Sequence, residues 1–197
     1  MRTRNEEQYS EKKKQIMRAC FDCYAEKGLH GTGISAVAEA AGVSKATLYN
    51  YFRDADALII ESTEFCMSSV EEEFMEKAPA DPAEIPRYLE RIPYWTAQQH
   101  GKKYRLMYQV YTHPKYIEAG KKFFSGVNRR YTEYAKELEP KLGLPHSVIT
   151  PLIFLFIRAC VHYALFEDEY YLISQIGVLK KSVELLLKQP HTDDEKV

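Results

Sequence analysis

Residues 32–52 read TGISAVAEAAGVSKATLYNYF, and this stretch decides the fold. It holds two short apolar-periodic segments around one glycine. In the first, Ile34, Val37, Ala38 and Ala41 recur at helical spacing and define an inner face. Gly42 follows where a tight turn needs a positive φ, and Val43 plugs the corner. Ser44 is placed to cap a second helix that runs to about Phe52. On that helix Leu48 and Phe52 lie four apart and point to the core. Small alanines on the first helix let the second cross closely. Two short helices joined by a tight glycine turn make the helix-turn-helix geometry.

The outer face of the second helix carries Ala46, Asn50 and Arg53, flanked by Thr47 and Tyr49. These residue types suit a DNA groove. Ala46 permits close approach to the groove floor. Thr47 donates, accepts, or meets a thymine methyl. Lys45 offers a phosphate partner near the helix start, where free backbone amides also attract anions. Tyr49 and Tyr51 have hydroxyls long enough to reach phosphates.

Upstream, Ile16, Met17, Cys20, Cys23 and Tyr24 fall at helical spacing between Glu6 and Lys27, and Gly28 stops that helix. Thr32 or Ser35 offers the cap for the helix that follows. Downstream, Asp54 or Asp56 caps a long fourth helix reaching about Lys77. The run Ala78-Pro79-Ala80-Asp81-Pro82 is the best domain boundary. The remainder predicts helices near 83–100, 103–112, 115–138, 147–166 and 168–188. Pro93 is expected to kink or split the first of these. Pro114 and Pro145 mark helix starts, and Glu139 to Gly143 reads as a loop. No period-two strand stands out, so the fold class is all-α.

The stretch GLHGTGISAVAEAAGVSKATLYNYF (28–52) resembles the DNA-binding signature of the TetR (tetracycline-repressor-like) family. The preceding helix fits as well: Ile16-Met17-x-Ala19-Cys20-x-x-Cys23-Tyr24-Ala25-x-x-Gly28 occupies that family's apolar and small positions. The resemblance covers about residues 9–69. It implies a three-helix DNA-binding head there, with the helix-turn-helix at 32–51. It further implies a connecting fourth helix and a C-terminal effector-binding and dimerisation domain at 83–188. By the same resemblance Thr32, Ser44, Lys45, Thr47, Tyr49, Asn50 and Tyr51 contact DNA, with Ala46 beside them. The function implied is a homodimeric transcriptional regulator on a near-palindromic double-stranded operator: a repressor that a small molecule releases, with an activator or a nucleoid-associated binder as the alternative, since repression and activation differ only in where the operator lies. Two positions depart from the family pattern: Ala46 stands where glycine is usual, and Ala55 where the fourth helix usually begins with lysine. The second departure removes a phosphate contact that Arg53 is placed to replace.

Composition sets outer limits. With 45% hydrophobic and 28% charged residues, the chain has enough apolar matter for a core, which argues against disorder. The net charge of −1 hides an uneven distribution. Residues 1–53 carry nine Lys/Arg against six Asp/Glu, whereas 54–78 carry one against eight. A basic front on a neutral protein suits a cationic DNA-facing surface. The polar start, Met1 to Lys14, does not read as a signal peptide. The apolar stretch Ile149 to Ile157 stops at Arg158, short of the about 20 residues a bilayer span requires. A cytoplasmic protein without a membrane partner is expected.

Enzymatic signatures are not found. Cys20-x-x-Cys23 has no second pair of ligands at zinc spacing, and the helical period places both thiols on a buried stripe. A di-metal carboxylate bundle needs Glu-x-x-His pairs. His30, His100, His113, His146, His162 and His191 all lack a Glu three residues before. No nucleophile elbow or P-loop occurs. The chain is therefore expected to be no enzyme and to carry no metal or cofactor.

The C-terminal part is rich in aromatics. Trp95, Tyr104, Tyr108, Tyr111, Phe124 and Tyr131 read either as helical core or, together, as the lining of a pocket for a planar or lipophilic effector. Arg158 interrupts the most apolar helix, with His162 one turn on. A charge there requires a partner. A neutral or anionic effector supplies one reading, with a carboxylate or phosphate on Arg158. A structural ion pair to Glu118, Glu133 or Glu137, or across a dimer, supplies the other. The helices near 147–166 and 168–188 carry apolar residues on more than one face, which one domain alone does not cover.

Overall fold

The computed structural model describes residues 2–188, with side chains from residue 6 onward. His191 lies outside the described residues. Among them are eight α-helices and no strand: α1 (Arg2–Lys27), α2 (Ile34–Ala40), α3 (Lys45–Tyr51), α4 (Ala55–Glu76), α5 (Ile85–Tyr111), α6 (Ile117–Leu142), α7 (His146–Phe166) and α8 (Glu169–Lys188). Short 3₁₀ turns at Pro82–Glu84 and Pro114–Tyr116 precede α5 and α6. The all-α expectation holds.

The chain divides into two compact units. One contains Met1–Lys77 and Lys102–Phe123, the other Ala78–Gly101 and Phe124–Val197. In the first unit α1 packs along α4 and against α2, and α2 packs on α3. The buried stripe of α1 is Ile16, Met17, Cys20, Phe21, Cys23 and Tyr24, and that of α4 includes Leu58, Ile59, Met67 and Val70. Fully burying side chains such as Phe21, Ile16 and Leu58 contributes about 1.5–3 kcal/mol each. All four cysteines are free, and Cys20, Cys23 and Cys160 are buried. Burial pushes the Cys20 and Cys66 thiols up to about 12, so neither forms a thiolate at neutral pH.

The first unit also holds a close crossing. A Cβ on Gly120 would meet the Tyr111 carbonyl oxygen at 2.7 Å, so the start of α6 lies against the end of α5 only because residue 120 has no side chain.

In the second unit α7 and α8 pack together as a helical hairpin. The Glu139 carboxylate caps α7: one oxygen accepts the backbone N–H of His146 at 2.6 Å and also lies 2.6 Å from His146 Nδ1. Ala135, Leu144 and Ile149 form a buried cluster here, with Leu138, Leu142, Ile153, Leu186 and Leu187 packed around it. Helix α7 ends at Glu167, whose left-handed φ of 54 closes the turn into α8.

Three boundaries differ from the sequence reading. Residues 85–111 form one helix: the expected break between 100 and 103 is absent, and Pro93 does not split the segment. Pro93 is itself buried, with Leu89 and Ile92 beside it, and this packing offsets one lost backbone hydrogen bond. The expected loop at 139–143 is helical up to Leu142, because Gly143 at φ +63 provides the stop and Pro140 does not. Finally, α7 as a whole is long and apolar enough, by length and composition, to cross a membrane, although its apolar run is broken at Arg158. In this fold Phe156, Ala159, Cys160 and Ala164 of that helix are buried against the protein.

Candidate nucleic-acid interface

The head is built turn by turn from local chemistry. Gly28, at φ +80, ends α1. The Thr32 hydroxyl donates to the Gly28 carbonyl at 2.9 Å and is itself buried. Gly33, not Thr32 or Ser35, occupies the N-cap of α2, and no side chain caps it. Gly42 at φ +62 turns the chain, with the Val43 N–H donating to Ala38 at 3.0 Å. Ser44 then caps α3: its Oγ accepts the Thr47 N–H at 3.0 Å and lies 2.9 Å from the Thr47 hydroxyl. Asp54 caps α4 by accepting the Ala57 N–H at 2.7 Å.

This arrangement sorts the residues of α3 into two faces. Leu48 and Phe52 are buried, whereas Ser44, Lys45, Ala46, Tyr49 and Asn50 are exposed together on the opposite side. Thr47 and Tyr51 are half-buried between them. Thr32 differs from the rest of the set, because its hydroxyl closes the α1–α2 turn. Arg53 is exposed, and its Nε donates to the Asp54 carboxylate at 2.8 Å. Sequence reasoning missed Tyr9. Its ring stacks on Tyr51 with centroids 4.5 Å apart, and its hydroxyl donates to the Asn50 carbonyl at 3.4 Å. The positions 9, 13, 16 and 20 fall on one helical stripe, and that spacing is the signal that was available.

Residues 16–61 match the family described as bacterial regulatory proteins, tetR family. The match places the head, and the head alone, with that family. The chain's head is 47% identical over 51 residues to the HTH-type transcriptional regulator RutR of Escherichia coli K12, a match spanning 26% of this chain and 24% of RutR. The matched part is thus about a quarter of that relative's length. A crystal structure of a tetR-family regulator from Mesorhizobium loti superposes with a TM-score of 0.65 at 20% identity, covering 91% of this chain and 96% of that one. The regulator FadR of Bacillus subtilis in complex with stearoyl-CoA superposes with a TM-score of 0.52 at 19% identity, covering 90% and 98%. These likenesses extend the tetR-family fold beyond the head.

The residues expected to line an effector pocket fall in both units. Tyr104, Tyr108 and Tyr111 belong to the first, and Trp95, Phe124, Tyr131, Arg158 and His162 to the second. Tyr104, Tyr111 and Tyr131 are buried, Trp95 and His162 half-buried, and Tyr108 and Phe124 exposed. Tyr131 meets Phe154 edge-on at 5.7 Å, and Trp95 meets His100 at 5.0 Å. His162 lies against Tyr171 at 4.0 Å and beside the Asp168 carboxylate at 3.6 Å. A groove in the second unit is lined by Glu90, Tyr94, Leu172, Ile173, Ile176, Gly177 and Lys180.

Arg158 departs from its sequence reading. It is exposed, so in the single chain its charge stays hydrated and requires no buried partner. Two of the acidic residues considered for it are engaged elsewhere: Glu118 pairs with Lys121 at 2.7 Å and Glu133 with Lys136 at 2.9 Å. An all-round apolar helix does not reveal from its period which face is turned outward.

Proposed function

We propose that the chain is a transcriptional regulator that binds double-stranded DNA sequence-specifically through α3, as a homodimer on a near-palindromic operator. The observation that carries this reading is the two-faced α3. Ser44 caps it, Leu48 and Phe52 fix its inner side, and Lys45, Ala46, Tyr49 and Asn50 stand free on the other. A short helix with one buried stripe and an exposed Lys, Asn and Tyr face fits the major groove. The nine basic residues before position 54 support phosphate attraction.

The regulator works by binding, as a cytoplasmic protein without catalysis or a membrane partner. A small molecule, neutral or anionic, is taken by the helical C-terminal part. It favours a head spacing that misses successive major grooves and so releases the operator; the protein represses where that operator overlaps a promoter. Acyl-CoA, held by the Bacillus subtilis FadR structure, belongs to this ligand class. Selection of bound fragments from a random duplex pool, followed by sequencing, tests the reading. A near-palindromic sequence is expected to be enriched. No enrichment above a scrambled control rejects it.

A further inference from the structure

Helix α3 has only seven residues, too few to be stable without neighbours. Its N-terminus has the Ser44 cap. Its C-terminus has no glycine stop: Phe52 follows in extended conformation at φ −132, and its N–H satisfies only the Leu48 carbonyl. The other carbonyls of the last turn lack intrahelical partners. One of them, on Asn50, receives the Tyr9 hydroxyl from α1, 41 residues earlier in the chain.

Tyr9 makes a second contact with the same helix end. Its ring lies on that of Tyr51, with centroids 4.5 Å apart and planes inclined by 24°. One turn along α1, Lys13 continues the seam. Its Nζ stands 5.1 Å from the Phe52 ring centroid and pairs with Glu61 at 2.7 Å. The N-terminal half of α1 thus holds residues 50–52 from the side. Tyr49 and Asn50, the exposed polar residues nearest this end, project from the turn that is held.

We propose that Tyr9 is a positioning residue for operator recognition, clamping the C-terminal end of α3 so that Tyr49 and Asn50 are presented in one orientation. This rests on the DNA-binding reading of α3. A frayed helix end has to be ordered when the groove closes on it, and ordering lost at that moment lowers affinity. The clamp does the ordering beforehand. The effect falls on specific binding, because base edges demand orientation whereas phosphates tolerate its loss. At 3.4 Å the hydroxyl contact is long, so the ring stack carries most of the clamp. Tyr9 therefore acts through α3 and not by touching DNA.

The test uses the full-length protein, the duplex it selects from a random pool, and a scrambled duplex of equal length. Tyr9→Ala is expected to weaken binding of the selected duplex by about five- to tenfold, the scale of one lost aromatic pair. Binding to the scrambled duplex and the slope of affinity against salt are expected to stay as in wild type. Tyr9→Phe keeps the stack and is expected to restore binding to within about twofold. Amide hydrogen exchange at residues 49–52 of the free protein is expected to rise in Tyr9→Ala and to stay low in Tyr9→Phe. Unchanged exchange in Tyr9→Ala overturns the clamp, even if that variant is less stable overall. Equal losses on both duplexes with a shallower salt slope overturn it in favour of direct phosphate contact. If wild type selects a duplex and both variants bind it equally well, the clamp alone is wrong. If wild type selects nothing, the DNA-binding reading falls with it.

Discussion

The phenolic hydroxyl of Tyr116 donates to a carboxylate oxygen of Asp56 at 2.7 Å, tying the turn before α6 to the first turn of α4. Lys115 pairs with the other oxygen at 2.7 Å. Asp56 also stands at a helix N-terminus, where negative charge is favoured. The start of α4 follows directly on α3. The Pro114–Tyr116 turn is thereby tied to the segment that follows α3.

The same relationship sets a pH dependence. The Lys115 ammonium first, and then the Tyr116 hydroxyl, hold the Asp56 carboxyl below its usual range. A carboxylate whose folded pKa is depressed contributes stability that is present above the unfolded value of about 4 and lost as pH falls through the folded one. Asp56→Asn is thus expected to lower the unfolding temperature at pH 7, with the gap to wild type closing below about pH 4. Tyr116 runs the other way. Burial, with Asp56, pushes its phenol up to about 12. That contribution is complete below the ordinary tyrosine pKa of about 10 and is lost as pH rises through the folded value. Thermal melts across pH, on wild type, Asp56→Asn and Tyr116→Phe, check both arms. A gap between wild type and Asp56→Asn that is constant down to pH 3 contradicts this account.

Ser44 is the simplest place to loosen α3. Its Oγ accepts the Thr47 N–H, and its loss leaves that amide without an acceptor. Ser44→Ala is expected to destabilise the head by about 1 kcal/mol, and Ser44→Gly by only a few tenths. Leu48→Ala, at a fully buried position, is expected to cost about 2–5 kcal/mol and to abolish binding through unfolding. Urea melts followed by circular dichroism separate the two. Equal costs for Ser44→Ala and Ser44→Gly would show that the cap is not what Ser44 supplies.

What the sequence revealed was local. Gly42 and Gly28 marked turns because positive φ has a residue preference, and Ser44 and Asp54 marked caps because a hydroxyl or carboxylate at that spacing reaches a free amide. Where partners are distant in the chain, spacing puts a residue such as Tyr9 on the inward stripe of its helix but does not name what it meets. Tyr9 meets Asn50 and Tyr51 only after α1 has been laid beside the head, and Asp56 meets Tyr116 across 60 residues. Pro93 does not split its helix and Pro140 does not end one, since burial in one case and a nearby Gly143 in the other outweigh the local signal. Thr32 looked like a cap or a DNA contact, and its hydroxyl turned back to Gly28.

The two exposed side chains at the ends of the α3 face are expected to act differently on DNA. Lys45 carries charge at the helix start, so Lys45→Ala should weaken binding to all sequences alike and reduce the salt slope by about 1. Asn50 carries a bidentate amide, which pairs with adenine N6 and N7. Asn50→Ala is expected to relax base preference at one position per half-site, by about 1–3 kcal/mol. Repeating the pool selection with each variant and fitting affinity against salt distinguishes them. A uniform loss for Asn50→Ala, with the selected sequence unchanged, would move Asn50 from base reading to phosphate contact.

The helical hairpin of α7 and α8 is where dimerisation is expected. Within the second unit Leu155, Phe166, Ile173, Val178 and Leu185 are each more than half exposed in the single chain. Large apolar exposure marks an interaction site, and the proposed near-palindromic operator calls for two heads related by a two-fold axis. The choice of substitution matters. Leu186 and Leu187 pack against the Ala135, Leu144 and Ile149 cluster, so a charge there would disturb the fold and the interface together. Val178 and Leu185 are seven apart, on one face of α8, and exposed at 68% and 58%. Val178→Asp and Leu185→Arg are therefore expected to leave helicity intact and shift the mass from dimer towards monomer at micromolar concentration. Operator affinity should fall in parallel, since a monomer grips one half-site. Size exclusion with light scattering, alongside circular dichroism, reads both. A wild-type chain that runs as a monomer rejects the dimer, and variants that stay dimeric with the same midpoint place the partner contact away from this hairpin.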